Sequence, residues 1–320
     1  HKGSSWIMNK HDNYRIKGRP YMDQMRYLVI PDNSTAFAAF KVGQLDVVLG
    51  GQLAVEEFNQ LKRSNPKANF ASAPGPSTDA HIYMNVRRAP FDNLKVRQAV
   101  SYCIDRKEFV NTFTGGIGGP AMAAAFGGMF TDEEIYALVP HDPVKGKQLL
   151  AEAGYPDGLN FDFFGSVRYG EIYSSRVQLL QAQFKKCGMT LNTKYYQHPE
   201  YLSLTRGNTF DMTFRGKGVN VDIDSYLTPV FSCGDSRNYA GICDAKLDEQ
   251  LKTISQEADP VNRLKLIREN AKYINVEKAW GLAIYLGPDL FVWSERLQDY
   301  NPHWPSGANG YPGIEKAWLK

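Results

Sequence analysis

An α/β fold arranged as two units is the architecture this sequence predicts, and three observations carry it. The chain has 320 residues, more than the roughly 100–200 of a single typical domain and enough to bury two cores. Strand-like and helix-like segments alternate along it. Its 43% hydrophobic and 22% charged residues place it among chains that collapse around a core, far from the compositions that stay disordered.

The first elements set the pattern. MDQMRYLVIPD (22–32) is a β-branched and aromatic run ended by Pro-Asp, which reads as a strand leaving into a turn. NSTAFAAFKVG (33–43) follows as a helix with Asn or Ser as its N-cap and Gly43 as its stop, and LDVVLG (45–50) is a short buried strand. Strand, helix and strand in this order favour a parallel layer. AVEEFNQLKRSNPK (54–67) is an amphipathic helix, HIYMNV (81–86) a strand, and FDNLKVRQAVSYCIDRKEFVNTF (91–113) one long helix. GGIGGPAMAAAFGG (115–128) reads as a loop or lid.

The second half repeats the alternation. DPVKGKQLLAEAGYPDG (142–158) has Asp142 at the cap, Pro143 in the first turn and Gly154 at the stop. Strands are expected at 159–165, 189–197 and 210–216, and helices at 171–188, 244–258 and 260–277. GLAIYLGPDLFVW (281–293) reads as a strand pair broken at Gly287-Pro288.

Composition and motifs remove several function classes. Lys and Arg number 37 against 34 Asp and Glu, and a net charge of +3 is too small and dispersed for a nucleic-acid footprint. The histidines at 1, 11, 81, 141, 198 and 303 show no HxxxH or HExxH spacing, so no local metal motif exists and no cofactor is expected. GGIGGP (115–120) follows a helix and lacks both a GxGxxG register and a GK[ST] end, and no GxSxG elbow is present. Glu56-Glu57 and Glu133-Glu134 are adjacent on helices and point apart, unlike an acid/base pair. These absences read against an enzyme and leave a hydrolase as a minor alternative.

Four cysteines occur. Cys233 and Cys243 bracket a Gly-, Ser- and Asn-rich stretch, FSCGDSRNYAGIC (231–243), whose loop character can bring the sulfurs together as a disulfide; two free thiols are the alternative. Cys103 and Cys187 sit on apolar helical faces and read as core residues.

The order of punctuated motifs resembles the extracellular solute-binding proteins of family 5, typified by dipeptide- and oligopeptide-binding proteins. The likeness opens with NYRIKGRPYMDQMRYLVIPDNSTAFAAFKVGQLDVV (13–48). It continues through Asn85 and PFDNLKVRQAVSYCIDR (90–106), DPVKGKQLLAEAGYPDG (142–158) and VDIDSYLTPVFSCGDSRNYAGIC (221–243). It implies a type II periplasmic-binding-protein fold of two α/β lobes that close on a ligand through hinge strands near 81–86 and 281–286. Lobe I would comprise 1–85 and a return segment 284–320, lobe II 86–283, and lobe I would be incomplete at its N-terminal side.

The same resemblance implies a monomeric periplasmic or extracellular component of a peptide-type ABC importer. It would hand a peptide or similar small solute to the transmembrane permease subunits, with a lipid anchor in the full-length form left open. Nickel chelates, oligosaccharides and opine-like anions remain alternative ligands, and a sensory receptor component an alternative role.

Capture of a zwitterionic peptide needs a carboxylate for the α-ammonium and a cation or helix N-terminus for the carboxylate. Asp222 matches the first Asp of an Asp-x-Asp loop that contacts the ligand's amino end in dipeptide-type relatives; Asp224, Arg215 and Lys217 are its neighbours, and helix capping is the competing role for the two aspartates. Relatives often carry Gly-Trp where this chain has Arg215-Gly216, so a stacking aromatic is replaced by a cation. Tyr83, Phe164, Tyr226, Tyr239 and Trp293 complete the candidate ligand-binding set because aromatics offer rigid area with a polar edge, and Asn238 joins it because the Asn238-Tyr239 pair resembles a family position.

Overall fold

The computed structural model describes residues 4–48, 54–78, 81–125, 128–215, 224–302 and 314–320. Its strands in chain order are β1 (Ser5–Asn9), β2 (Gln24–Leu28), β3 (Val47–Val48), β4 (Asn69–Thr78), β5 (His81–Met84), β6 (Gly119–Pro120), β7 (Leu159–Ser166), β8 (Met189–Tyr196), β9 (Met212–Arg215), β10 (Gly281–Ala283), β11 (Tyr285–Trp293), β12 (Leu297–Gln298) and β13 (Trp318–Leu319). The chain divides into a smaller unit, His1–Gly75 with Pro288–Lys320, and a larger one, Pro76–Gly287. β4 and β11 each carry the backbone from one unit into the other.

In the smaller unit β1 and β2 form an antiparallel ribbon, β11 lies between β3 and β4, and β12 pairs with β13. Leu297, Tyr300 and Ala317 form a small core against which Met22, Val47, Trp293 and Ile314 pack. The helix Asn33–Lys41 is capped by Asp32, one residue before the expected Asn or Ser. The Asp32 carboxylate accepts from the Thr35 hydroxyl and from the Thr35 N–H at 2.7 Å, and these bonds hold its pKa below the ordinary carboxylate value.

The larger unit is built on a five-stranded sheet in the order β10-β5-β9-β7-β8. β7 runs parallel to β8 and β9, while β5 runs antiparallel to β9 and β10. Because successive side chains of a strand point to opposite faces, the sequence alternation separates two cores. Ile82, Met84, Phe161, Phe163, Met212, Phe214 and Leu282 go to one face, packed by the helices Leu94–Tyr102, Pro143–Glu152 and Gly170–Lys186. Tyr83 and Phe164 go to the other, packed by the helices Asp224–Phe231, Ala245–Gln256 and Pro260–Lys272. Both faces of the sheet are thus covered, as a mixed sheet in an α/β unit requires.

Four local expectations are corrected. The single helix over 91–113 is two, Leu94–Tyr102 and Arg106–Phe113, because the Asp105 carboxylate accepts from Glu108 N at 2.9 Å and starts a new helix after Cys103. The Gly/Ala stretch read as a loop or lid includes β6, which pairs with β11, and continues into Ala121, Met122, Ala123 and Ala124, all buried. β11 runs unbroken through Gly287-Pro288, and the break falls at Ile284 instead. Cys103 and Cys187 are core residues, and they are also bonded to each other as a disulfide across 84 residues of sequence.

That buried bridge constrains its surroundings. Gly146, in the helix Pro143–Glu152, faces it so closely that an added Cβ would overlap the Cys103 Sγ and meet the Ala99 carbonyl oxygen at 3.3 Å and the Cys187 Sγ at 3.5 Å. Helix propensity alone makes Gly146→Ala stabilising by about 1 kcal/mol. Overpacking against the bridge opposes it by roughly 1–3 kcal/mol, and the backbone oxygen has nowhere to yield. Guanidinium unfolding of Gly146→Ala is expected to show a lowered midpoint; a raised midpoint would contradict this packing.

Candidate functional site

β9 has four described residues, and what borders it decides what Arg215 does. On one side it pairs with β5 through Met212↔Met84, Thr213↔Tyr83, Phe214↔Ile82 and Arg215↔His81. On the other, its pairing with β7 stops after Phe164↔Thr213. Beyond that point the Phe214 carbonyl needs a new donor, since a buried backbone oxygen left unpaired is costly. It accepts from the Tyr201 hydroxyl at 2.9 Å and the Tyr173 hydroxyl at 3.1 Å. The Thr213 hydroxyl donates to the Phe164 carbonyl at 2.7 Å and lies 2.9 Å from the Tyr201 oxygen. By strand alternation Thr213 and Arg215 share the face of Tyr83 and Phe164.

Arg215 therefore leaves the sheet half-buried among aromatics. Its guanidinium carbon sits 4.0 Å from the Tyr239 ring centroid and 5.9 Å from that of Tyr201, and Nη1 donates to Thr205 Oγ1 at 3.4 Å. Tyr239 in turn meets Tyr83 edge-on at 5.9 Å, and Tyr83 stacks on His81 at 4.5 Å. Tyr169 and His198 flank Tyr201, edge-on at 5.9 Å and stacked at 6.1 Å, and the His198 Nδ1 lies 3.1 Å from Ser166 Oγ.

The loop that presents Tyr239 is closed by the Cys233–Cys243 disulfide, as one of the two readings of that segment expected. Asn238 shapes it from within. Its amide donates to the Ser232 carbonyl at 2.9 Å and the Ile242 carbonyl at 2.6 Å, while its oxygen accepts from Gly241 N and Ile242 N at 3.0 Å. Gly241 holds a φ of +76°, and a side chain there would strike Arg87.

The electrostatics follow from burial beside a cation. Burial pushes the Tyr83 and Tyr201 phenols well above their ordinary value, and Arg215 only partly offsets it. His198 moves the other way: burial first, then the nearby Arg168 and Arg215, disfavour its cationic form and lower its pKa.

The sequence candidates distribute unevenly. Arg215, Tyr239 and Tyr83 come together, with Asn238 as the scaffold of the Tyr239 loop. Phe164 and Tyr226 are buried in the core on the same sheet face, beside Tyr196 at 5.0 Å and edge-on to Phe231 at 6.0 Å. Trp293 belongs to the smaller unit's core, edge-on to Tyr300 at 5.6 Å. Asp222 and Lys217 lie outside the described residues, and Asp224 is the first residue of the helix Asp224–Phe231. Tyr201, His198 and Thr205 were not anticipated; all three come from the helix His198–Arg206, whose signal was Pro199 at its start. Among the described residues no group of three His, Cys, Asp or Glu is placed to hold a metal, and no helix is long and apolar enough to cross a membrane.

Residues 1–238 match the bacterial extracellular solute-binding proteins, family 5, middle region. The chain belongs to this family. Among curated relatives, Heme-binding protein A of Haemophilus influenzae is 29% identical over 276 residues, covering 84% of this chain and 50% of the relative. The glutathione-binding protein GsiB of Salmonella paratyphi A is 25% identical over 284 residues, covering 85% of this chain and 54% of the relative. The chain thus spans about half the length of the curated relatives it matches. Solved structures show its fold to be that of type II periplasmic binding proteins. AgaA of A. tumefaciens R10, in complex with agropinic acid, matches with a TM-score of 0.83 at 21% identity, over 100% of this chain and 65% of that one. DppA of Helicobacter pylori, in complex with the peptide STSA, matches with a TM-score of 0.82 at 19% identity, over 100% and 61%.

The His198 environment is open to direct test. A depressed pKa means the neutral ring is favoured in the folded state, so its contribution to stability is present above about pH 6.5 and is lost as pH falls through the folded value. Arg215→Gln removes one of the two cations, so the His198 midpoint followed by proton NMR is expected to rise, though not fully, since burial and Arg168 remain. An unchanged midpoint would separate His198 electrically from Arg215.

Proposed function

We propose that the protein is the solute-binding component of a peptide-type ABC importer, capturing a peptide or similar small solute outside the cytoplasm and delivering it to the permease without chemical turnover. Membership of family 5 supports the class. The single observation that carries the site is the half-buried Arg215 stacked on Tyr239 at the end of β9: a cation with rigid aromatic walls suits a solute that has both charge and apolar area.

In this reading Arg215, Tyr239 and Tyr83 line the site and Asp222 and Asp224 take the solute's ammonium group. Tyr226 and Phe164 back this wall from the core, Trp293 belongs to the same proposed set from its place in the smaller unit, and Asn238 keeps its loop in shape. The lobe limits read from the sequence, 1–85 with 284–320 and 86–283, and capture by hinge closure belong to the same proposal. Relatives that bind heme, glutathione and di/tripeptides favour solutes of peptide size over metal ions.

Isothermal titration of the full-length protein against di-, tri- and tetrapeptides and glutathione tests this. Saturable binding with a Kd on the order of 1 μM, about −8 kcal/mol, and unchanged solute after incubation are expected. Silence towards all of them, or hydrolysis of any, would contradict the reading.

A further inference from the structure

Arg215 is held without being neutralised. Of the five N–H donors of a guanidinium, one has an acceptor among the described residues, Thr205 Oγ1 at 3.4 Å, and no described carboxylate forms an ion pair with it. The Tyr239 ring lies 4.0 Å from its guanidinium carbon, a contact worth about 0.5–2 kcal/mol, and the remaining N–H donors meet no acceptor among the described residues. A guanidinium with donors to spare presents the parallel pair that matches a carboxylate.

The surroundings carry the same sign. Arg237 acts with Arg215 on Tyr83, and Arg168 acts with it on His198. Among the described residues, no carboxylate figures with the groups that act most on Tyr83, Tyr169, Tyr201 or His198. A half-buried cation in a field of further cations and phenols concentrates anions.

We propose that Arg215 receives a carboxylate of the captured solute through its N–H donors, beside the Tyr239 ring, so that the protein selects acidic solutes over their neutral isosteres. This rests on the solute-capture reading above. The carboxylate belongs either to an acidic side chain or to a peptide C-terminus, and three probes separate the two: Ala-Glu-Ala, Ala-Gln-Ala and Ala-Gln-Ala-amide.

Titration of full-length wild type, Arg215→Lys and Arg215→Gln with each probe decides it, with circular dichroism and the melting temperature of each variant as the check on folding. The wild type is expected to bind at least one carboxylate-bearing probe about 30-fold more tightly than the amide, the loss typical of one charge-assisted pair. Arg215→Gln is expected to bring that ratio below about threefold, the carboxylate-bearing probe losing far more affinity than the amide, and Arg215→Lys to retain part of the preference, because the charge remains but the planar fork is lost. A side-chain carboxylate shows as a preference for Ala-Glu-Ala over Ala-Gln-Ala, a C-terminal one as a preference for Ala-Gln-Ala over the amide. Equal binding of all three probes by the wild type, a preference that survives in Arg215→Gln, or an equal loss of all three in that variant would overturn the inference while leaving solute capture standing. No binding of any probe by the wild type would remove both.

Discussion

The short strand β9 is the constraint on which the candidate site depends. It pairs along its full four residues with β5 but only at its start with β7, and the Phe214 carbonyl is taken over by the Tyr201 and Tyr173 hydroxyls. That handover anchors the helix His198–Arg206 above the sheet end through Tyr201. It also puts Thr205 within reach of Arg215. Full pairing with β7 would have satisfied the carbonyl in the ladder and left the tyrosine hydroxyls, both buried, in need of other partners. The aromatic cradle and the register of the sheet are therefore one arrangement.

The two disulfides divide two tasks. Cys103–Cys187 is buried and closes 84 residues of sequence, so it limits the unfolded chain strongly, in the range of roughly 2–5 kcal/mol. Cys233–Cys243 is exposed and closes only 10, where the same effect is smaller. Its place in the structure gives it a different consequence: together with the Asn238 hydrogen bonds it holds the loop from which Tyr239 reaches Arg215. One bridge supports the core and the other supports the site.

Much of this was legible in the sequence, for physical reasons that can be named. The alternation in HIYM and MTFR puts Thr213 with Arg215 and His81 with Tyr83, and the register of the sheet joins the two pairs on one face. The Gly- and Asn-rich loop and its cysteine pair could be read from composition, because turn residues and short closure are local properties. The partner of Cys103 could not, since it comes from a helix 84 residues away and depends on how three helices pack. The split of the helix over 91–113 was written in Asp105, whose capping outweighs the apolar periodicity on either side. Tyr201 and His198 escaped notice because their role comes from a carbonyl that the sheet leaves unpaired, a tertiary fact that no local pattern carries.

The central claim is that the end of β9 is where the solute is held. A crystal structure of the full-length protein with its co-purified or soaked solute tests it most directly. The account predicts solute density with an acidic group within hydrogen-bond distance of the Arg215 guanidinium and the rest of the solute in contact with Tyr239. Solute density that leaves both residues untouched would contradict it.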